Sequence, residues 1–539
     1  MAGLAASFGS GAMTNSIGEI AGADVLFIIG SNPTEAHPII GLKIKEAVSR
    51  GAKLIVADPR EIWLTKLAAI HLPIRPGTDL ALINAMAHVI ISEGLANESF
   101  IERRTEGFEA FREIVAQWTP ERAAELCEVP AEDIRRAARE YAQSDRGAIY
   151  YTLGITEHTC GTNNVRGVAN LALLTGQIGK ESSGVNPLRG QNNVQGACDM
   201  GALPDVYPGY QKVAVEENRR KFEDAWGANL PTSAGMTITD MMEEAAEGRV
   251  KAIYVMGEDP IMSEAHASFV RQAFGNLDFL VVQDIFMSET AKLADVVLPA
   301  SCFAEKDGTF TNTERRVQRV RKAVETPGEA REDWRIIVDI ANRLGSKMSY
   351  SSPEEIWDEV AGLSPMLAGI SYPRIDAVGL QWPCSHDEHP GTPCLHEDGF
   401  ACGLGKFAAV EYSPPSEPTD SEYPWLLTTG RVLYQYNVGT MTRRVKGLVQ
   451  KSPNCFVEIN PRDLSDLGAK DGQALRVSTR RGSITARAYM TKKVRRGQIW
   501  MPFHFAEASA NELTIDAYDP VTKTAEYKVA AARVEIVEQ

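Results

Sequence analysis

Short apolar runs closed by Gly, Asp or Pro alternate along the chain with segments in which apolar residues recur every three or four positions. "DVLFIIG" from Asp24, "KLIVAD" from Lys53, "GAIYYTLGI" from Gly147 and "ADVVLPA" from Ala294 have the length and composition of buried strands. "DLALINAMAHVIISEGL", "ESFIERRTEGFEAFREIVAQ" and "AEDIRRAAREYAQ" carry helical periodicity over about 79–145, and "GVANLALLTGQIGK" reads as a helix stopped by Gly. Strand alternating with helix is the pattern of an α/β fold.

That pattern repeats. "DVLFIIGSNPTEAHPII" from Asp24 and "KAIYVMGEDPIMSEAH" from Lys251 are each an apolar strand, then G-[SE]-[ND]-P, then a helical pattern. Each is followed by a second apolar strand ending in Asp, then K-L-A and a short strand closing on L-P. Gly30 to Asp58 is 28 residues and Gly257 to Asp284 is 27, while Asp58 to Lys66 and Asp284 to Lys292 are both 8. A G-x-[ND]-P corner alone is only a capped helix start. Two in register, with matched Asp residues, predict two doubly wound αβα halves with parallel sheets. In such sheets phosphates sit at helix N-termini, and an acidic residue at the next strand end takes hydroxyl or amino groups. The chain therefore reads as built for two nucleotide-like ligands, or for one ligand with two nucleotide arms.

Past residue 407 the texture changes. "AAVEYSPPSEPTDSEYP" has the Pro, Ser and Glu content of a linker, and "VEIN", "ALRVSTRRGSITARAYM", "QIWMPFHF" and "YKVAAARVEIV" read as strands, the second of them a hairpin. The expected domains are 1–191 and 192–407, two dinucleotide-binding α/β domains, then a linker at 408–424 and a C-terminal β-barrel, double-psi-like, over 425–539. "FGSGAMTN" (Phe8 to Asn15) is expected to start a helix, and "KKVRRG" (Lys492 to Gly497) to form a solvated turn edge.

Composition narrows the function classes. A net charge of −15 argues against a nucleic-acid binder, which needs a basic face. Eight Cys in 539 residues are too sparse for a disulfide scaffold and suit a reducing compartment, so a cytoplasmic protein is expected. No apolar run is long enough to span a bilayer. "CSHDEHPGTPCLHEDGFAC", from Cys384, lacks the paired spacing of a zinc site and reads as a loop.

"VNPLRGQNNVQGACDMGALPD" (Val185 to Asp205) has neither helical nor strand periodicity, and places Arg189 among Gly, Asn and Gln. A guanidinium is a planar fork for a carboxylate, carboxamides offer donor and acceptor together, and glycines let backbone approach a ligand. Read from these residues alone, the loop is either such a cavity or a surface turn. This stretch, with "GSNPTEAHPI", "ADPR", "RTEGFE", "LTGQIGK", "VMGEDP", "VQDIFM", "TTGR" and "TKTAEYK", resembles the molybdenum- and tungsten-dependent formate dehydrogenases, catalytic alpha subunit. These belong to the bis-molybdopterin guanine dinucleotide oxidoreductase superfamily. The resemblance implies oxidation of formate to CO2 at Mo or W held by two pyranopterin guanine dinucleotides. It makes Arg189 the arginine that holds formate and sets Gln191 against a pterin. It gives Gly30, Asn32, Asp58, Arg60, Gly77 and Asp79 to one dinucleotide, and Gly257, Asp259, Gln283, Asp284 and Asp333 to the other. Arg431, Asn511, Tyr527 and Lys528 would close over the pterins, whereas Gln435 and Phe503 vary in the family and are given no role.

The resemblance also implies a metal ligand, Cys or selenocysteine followed by His, and a four-Cys [4Fe-4S] segment. Both are expected upstream of Met1, with an in-frame TGA before the His codon if the ligand is selenocysteine. No Cys of this chain takes the ligand's place, and Cys160 is expected to be a buried neutral thiol. Electrons would leave through the iron–sulfur cluster to a diaphorase, ferredoxin-like or hydrogenase partner. A nitrate-type reductase of the same superfamily and a cofactor-free scaffold subunit are the alternatives.

Overall fold

The computed structural model describes residues 1–537. The chain divides into two compact units: Met1–Gly190 with Met262–Ser268 and everything from Cys394 onward, and Gln191–Ile261 with Phe269–Pro393.

In the first unit, β1 (Val25–Ile29), β2 (Lys53–Ala57), β3 (Ile70–Leu72), β4 (Gly147–Tyr151) and β5 (Gly184–Pro187) form a sheet in the order β3-β2-β1-β4-β5. All four pairings are parallel. Every residue of β1 is buried, as its unbroken apolar run requires for a strand covered on both faces. Val25, Phe27 and Ile29 point into a core shared with the helices Asp79–Ser92 and Gly161–Thr175. Leu26 and Ile28 point the other way, onto Ile40, Ile44 and Ala47 of the helix Pro38–Ser49. Burying each of these large side chains stabilises the fold by roughly 2 kcal/mol. The strand order reverses between β1 and β4, and a crevice opens at such a reversal beyond the strands' carboxyl ends.

The second unit holds the other copy of the repeat. β6 (Ala252–Met256), β7 (Phe279–Asp284) and β8 (Val296–Pro299) form a parallel sheet in the order β8-β7-β6. Its core is Val255, Leu280 and Val282 against Val270, Ala273 and Phe274.

Six further strands of the first unit, β9 (Trp425–Gly430), β10 (Phe456–Ile459), β11 (Ala474–Ser478), β12 (Ser483–Met490), β13 (Gln498–Pro502) and β14 (Ala530–Ile536), close into a barrel. Two of its pairings, β9 with β13 and β10 with β12, are parallel, and the other four are antiparallel. Ile484, Ala486 and Ala488 alternate into the barrel core beside Val457, Val477 and Ile499.

Several local expectations are corrected. Phe8 to Asn15 does not start a helix: it ends one, Ala2–Phe8, because Gly9 takes φ +79 as its left-handed cap. The strand expected over Gly147–Ile155 stops at Tyr151, and Leu153–Thr156 is a helical turn. Thr152 Oγ1 donates to Gly30 O at 2.8 Å and Gly154 N to the same oxygen at 3.0 Å, which turns the chain out of the sheet. Val185–Asp205 is not irregular throughout: β5 enters it, and Val194–Asp199 is helical. Lys492–Gly497 is the solvated turn edge expected, with Lys492, Arg496 and Gly497 exposed, and it is also anchored, Arg495 donating to Pro73 O at 2.7 Å and Arg496 pairing with Asp463. The stretch 408–424 lacks helix and strand, yet Ala408 exchanges two hydrogen bonds with Asn170, and Glu417 pairs with Arg480 and Arg481.

Candidate functional site

At the reversal between β1 and β4, Gly30 leaves the sheet with φ +55. A Cβ there would lie 2.7 Å from the carbonyl carbon of Gly154, so the two loops touch backbone to backbone. Next comes buried Ser31, then Asn32, whose Oδ1 accepts from Thr34 Oγ1 at 2.8 Å and which precedes the helical turn Pro33–Ala36. Gly30, Asn32, Asp58, Arg60, Asp79, Arg431 and Lys528, seven of the residues expected at the cofactor, line one cleft of about 110 Å³.

Asp58, at the end of β2, accepts from the Arg60 backbone N–H at 2.9 Å, and burial pushes its carboxyl up to about 7. A carboxylate withdrawn from water without a full set of donors is costly, and a ligand bearing N–H groups would restore them. The Arg60 guanidinium is already engaged. It grips Glu458 in bonds of 2.8 to 3.1 Å and lies 3.9 Å over the Trp500 ring, which ties the sheet's edge to the barrel. Gly77, at φ +81, is packed so closely that a Cβ would meet Pro415 at 2.4 Å.

Asp79 begins the helix Asp79–Ser92, and burial pushes its carboxyl up to about 6. Its Oδ2 lies 3.9 Å from His158, a residue that sequence reasoning missed. His158 Nδ1 is 2.5 Å from Glu526 Oε1 and Nε2 is 2.9 Å from Gly154 O. Both partners accept, so the ring carries both protons. Burial opposes that charge, but the Glu526 hydrogen bond and the charges of Glu526 and Asp79 outweigh it and raise the imidazole above its ordinary value. Beside it, Lys528 pairs with Glu157 at 2.7 Å and donates to Thr429 O at 3.1 Å. Cys160 is buried and its thiol is pushed up to about 12 by burial, so it is neutral.

Tyr527 and Asn511 both hold the segment Met262–Ser268. Tyr527 OH donates to Ser263 O and accepts from Ala265 N, each at 3.1 Å, and Asn511 Nδ2 donates to Met262 O at 2.8 Å. Arg189 follows the end of β5, half-buried, with its Nη2 shielded from solvent and its carbonyl 2.6 Å from His37 Nε2. Arg431 lies 5.0 Å from the Phe503 ring centre and has Nη2 4.0 Å from where a Gly190 Cβ would stand.

The second unit gathers its own set at the carboxyl ends of β6 and β7. Gly257 turns at φ +62, and Asp259 accepts from Thr290 N at 2.9 Å and from Thr290 Oγ1 at 2.7 Å. Gln283 donates to Asp333 Oδ1 at 2.6 Å and accepts from Tyr254 OH, while Asp333 also pairs with Lys306. Asp284 accepts from Ile285 N at 2.6 Å, and burial raises its carboxyl. Gln191 is the first residue of this unit.

In the first unit, Ser31 Oγ, His37 Nδ1, Tyr151 OH, Gln435 Nε2 and Asn511 Oδ1 are buried with no protein partner. The Ser31 hydroxyl, which lines the cleft, with raised carboxyls at Asp58 and Asp79 and a glycine corner that admits no Cβ, fits a polar, nucleotide-bearing group edged with donors and acceptors. Gln435, which varies in the family and has no role from sequence, is among the residues with such a buried atom.

A family model described as "Molybdopterin oxidoreductase" matches residues 4–343, and one described as "Molydopterin dinucleotide binding domain" matches residues 425–531. The chain is 51% identical over 538 residues to F420-dependent formate dehydrogenase 2 subunit alpha of Methanococcus maripaludis, covering 99% of this chain and 79% of that one. It is 43% identical over 542 residues to formate dehydrogenase H of Escherichia coli, covering 99% and 76%. Acetylene hydratase from Pelobacter acetylenicus superposes with a TM-score of 0.78 at 20% identity, over 99% of this chain and 80% of that one, and so shares the fold.

Proposed function

The chain belongs to the molybdopterin oxidoreductase family, and on that premise we propose that it oxidises formate to carbon dioxide as a catalytic alpha subunit. The bound molybdopterin guanine dinucleotides of Mo or W supply the two-electron acceptor. The Gly30, Asn32 and Asp58 corner holds one dinucleotide, and the Gly257, Asp259 and Asp284 corner the other. Asp58 and Asp284 accept from N–H groups, and Lys528 supplies positive charge.

Arg189 would receive the carboxylate of formate through two parallel charge-assisted hydrogen bonds and thereby fix the direction of its C–H bond, while the metal group would supply the acceptor for the electrons. Shielding from water strengthens that contact and keeps the substrate in one orientation. The observation that carries the reading is the placement of this guanidinium, half-buried with Nη2 withdrawn from solvent at the end of β5, in a chain half identical to a formate dehydrogenase alpha subunit. An iron–sulfur cluster and a partner subunit would supply the route by which electrons leave. No described helix is long and apolar enough to cross a membrane, and we place the enzyme in the cytoplasm.

Formate-dependent reduction of a viologen dye by the purified holoenzyme tests this. Activity in the wild type, and a loss of at least about 100-fold in kcat/KM for Arg189→Ala with metal and pterin retained, is expected from losing an interaction of about 3 kcal/mol. Normal turnover by the variant, or none by a fully loaded wild type, refutes the reading.

A further inference from the structure

We propose that His37 is a positioning residue for Arg189, clamping the arginine's own peptide through a hydrogen bond from Nε2–H to its carbonyl. The last hydrogen bond of the β4–β5 ladder is from Leu188 N to Tyr151 O at 2.9 Å, so Arg189 begins the loop one residue beyond it. The residue that follows is Gly190, whose missing Cβ would meet nothing closer than 4.0 Å. His37 Nε2, 152 residues away in the chain, lies 2.6 Å from the Arg189 carbonyl and holds that peptide.

The proton's place follows from the partner: a carbonyl only accepts, so Nε2 donates. His37 stands where the helical turn Pro33–Ala36 meets the helix Pro38–Ser49, and the buried packing of Ile40, Ile44 and Ala47 seats that helix on the sheet. The imidazole is thus carried on a rigid element, as a group that must place another accurately requires. Burial lowers its basicity, the Arg189 carbonyl partly offsets this, and the nearby charge of Arg431 lowers it further, so the ring stays neutral. Nδ1 is then an unprotonated acceptor, shielded from solvent and without a protein partner. The same corner that begins with Gly30 therefore sets both a dinucleotide cradle and the arginine that meets the substrate.

This inference rests on the formate reading, and the experiment separates the two. In holoenzyme containing this chain, His37→Ala should raise the formate KM about tenfold, the worth of one buried hydrogen bond, with metal and pterin content unchanged. His37→Gln, whose amide nitrogen reaches about as far as Nε2, should restore most of the lost affinity. Unchanged KM in His37→Ala, or a His37→Gln variant as impaired as His37→Ala at equal cofactor content, overturns the proposal. A purely structural histidine would lower cofactor content and kcat together. If His37→Ala does not load cofactor, nitrogen NMR of histidine-labelled wild type decides: the neutral Nε2–H form is expected, and an Nδ1–H form or an imidazolium at neutral pH overturns it. Should the loaded wild type not oxidise formate at all, the functional reading fails, whereas an active wild type with an indifferent His37 fails only this inference.

Discussion

Asp58 offers a sharp test of whether the cleft was shaped for a ligand rather than for the fold's own stability. Its carboxyl, ordinarily near 3.8, is pushed to about 7, with burial the largest cause. That difference is about three pH units, and each is worth about 1.4 kcal/mol, so the folded chain without ligand bears roughly 4 kcal/mol to keep Asp58 charged. The sign follows from a carboxyl whose folded value lies above its unfolded one. The folded state binds the proton more tightly, so stability is highest below about pH 4 for this group, falls as pH rises toward 7, and is level beyond. Asn is nearly isosteric, keeps an oxygen for the Arg60 backbone N–H, and carries no charge. Asp58→Asn should therefore stabilise cofactor-free protein at pH 8 by about 2–4 kcal/mol and have almost no effect near pH 4, while weakening retention of the dinucleotide. Urea unfolding of both proteins across that range, with pterin content of separately prepared holoenzyme, measures it. A variant destabilised at pH 8, or one stabilised yet holding cofactor as tightly as the wild type, refutes the reasoning.

Other substitutions probe the scaffold around the cleft. Glu458→Ala strands a buried guanidinium and should cost about 3–5 kcal/mol in the same unfolding assay, whereas replacing Arg60 and Glu458 together with apolar residues should recover most of it. His158 has a folded value raised above its ordinary one, so its contribution is complete below about pH 6.5 and is lost as pH rises through the folded value. His158→Gln should accordingly flatten the decline in wild-type stability above neutral pH, and melting curves at pH 6 and 9 would show it.

The parts of the site carried by local pattern were legible in the sequence. β1, Gly30 and Asn32 form one continuous signal, and Asp58 is fixed by the next apolar run. The second copy, with Gly257 and Asp284, repeats both at the same spacing. What stayed hidden are pairings with no local signature. Glu458 meets Arg60 across 398 residues, and Glu526 meets His158 across 368. Each is an ordinary acidic residue until the barrel closes. The same holds for 408–424, whose composition suits a linker although Asn170 and Arg481 pin it in place. Leu153–Thr156 reads as strand because its apolar residues continue β4, and only the contact of Gly154 with Gly30 shows why the strand must end. Arg60 was legible as a residue of the cleft, but not as a clasp to the barrel, since a guanidinium's partner is set by the fold rather than by its neighbours in sequence.

The central claim is that this chain cradles one dinucleotide at each copy of its repeat. Mild acid hydrolysis of the purified holoenzyme, with the guanine nucleotide and the metal released from each chain counted, tests it most directly. The account predicts two guanine nucleotides for every Mo or W atom; one nucleotide per metal, or metal without nucleotide, would contradict it.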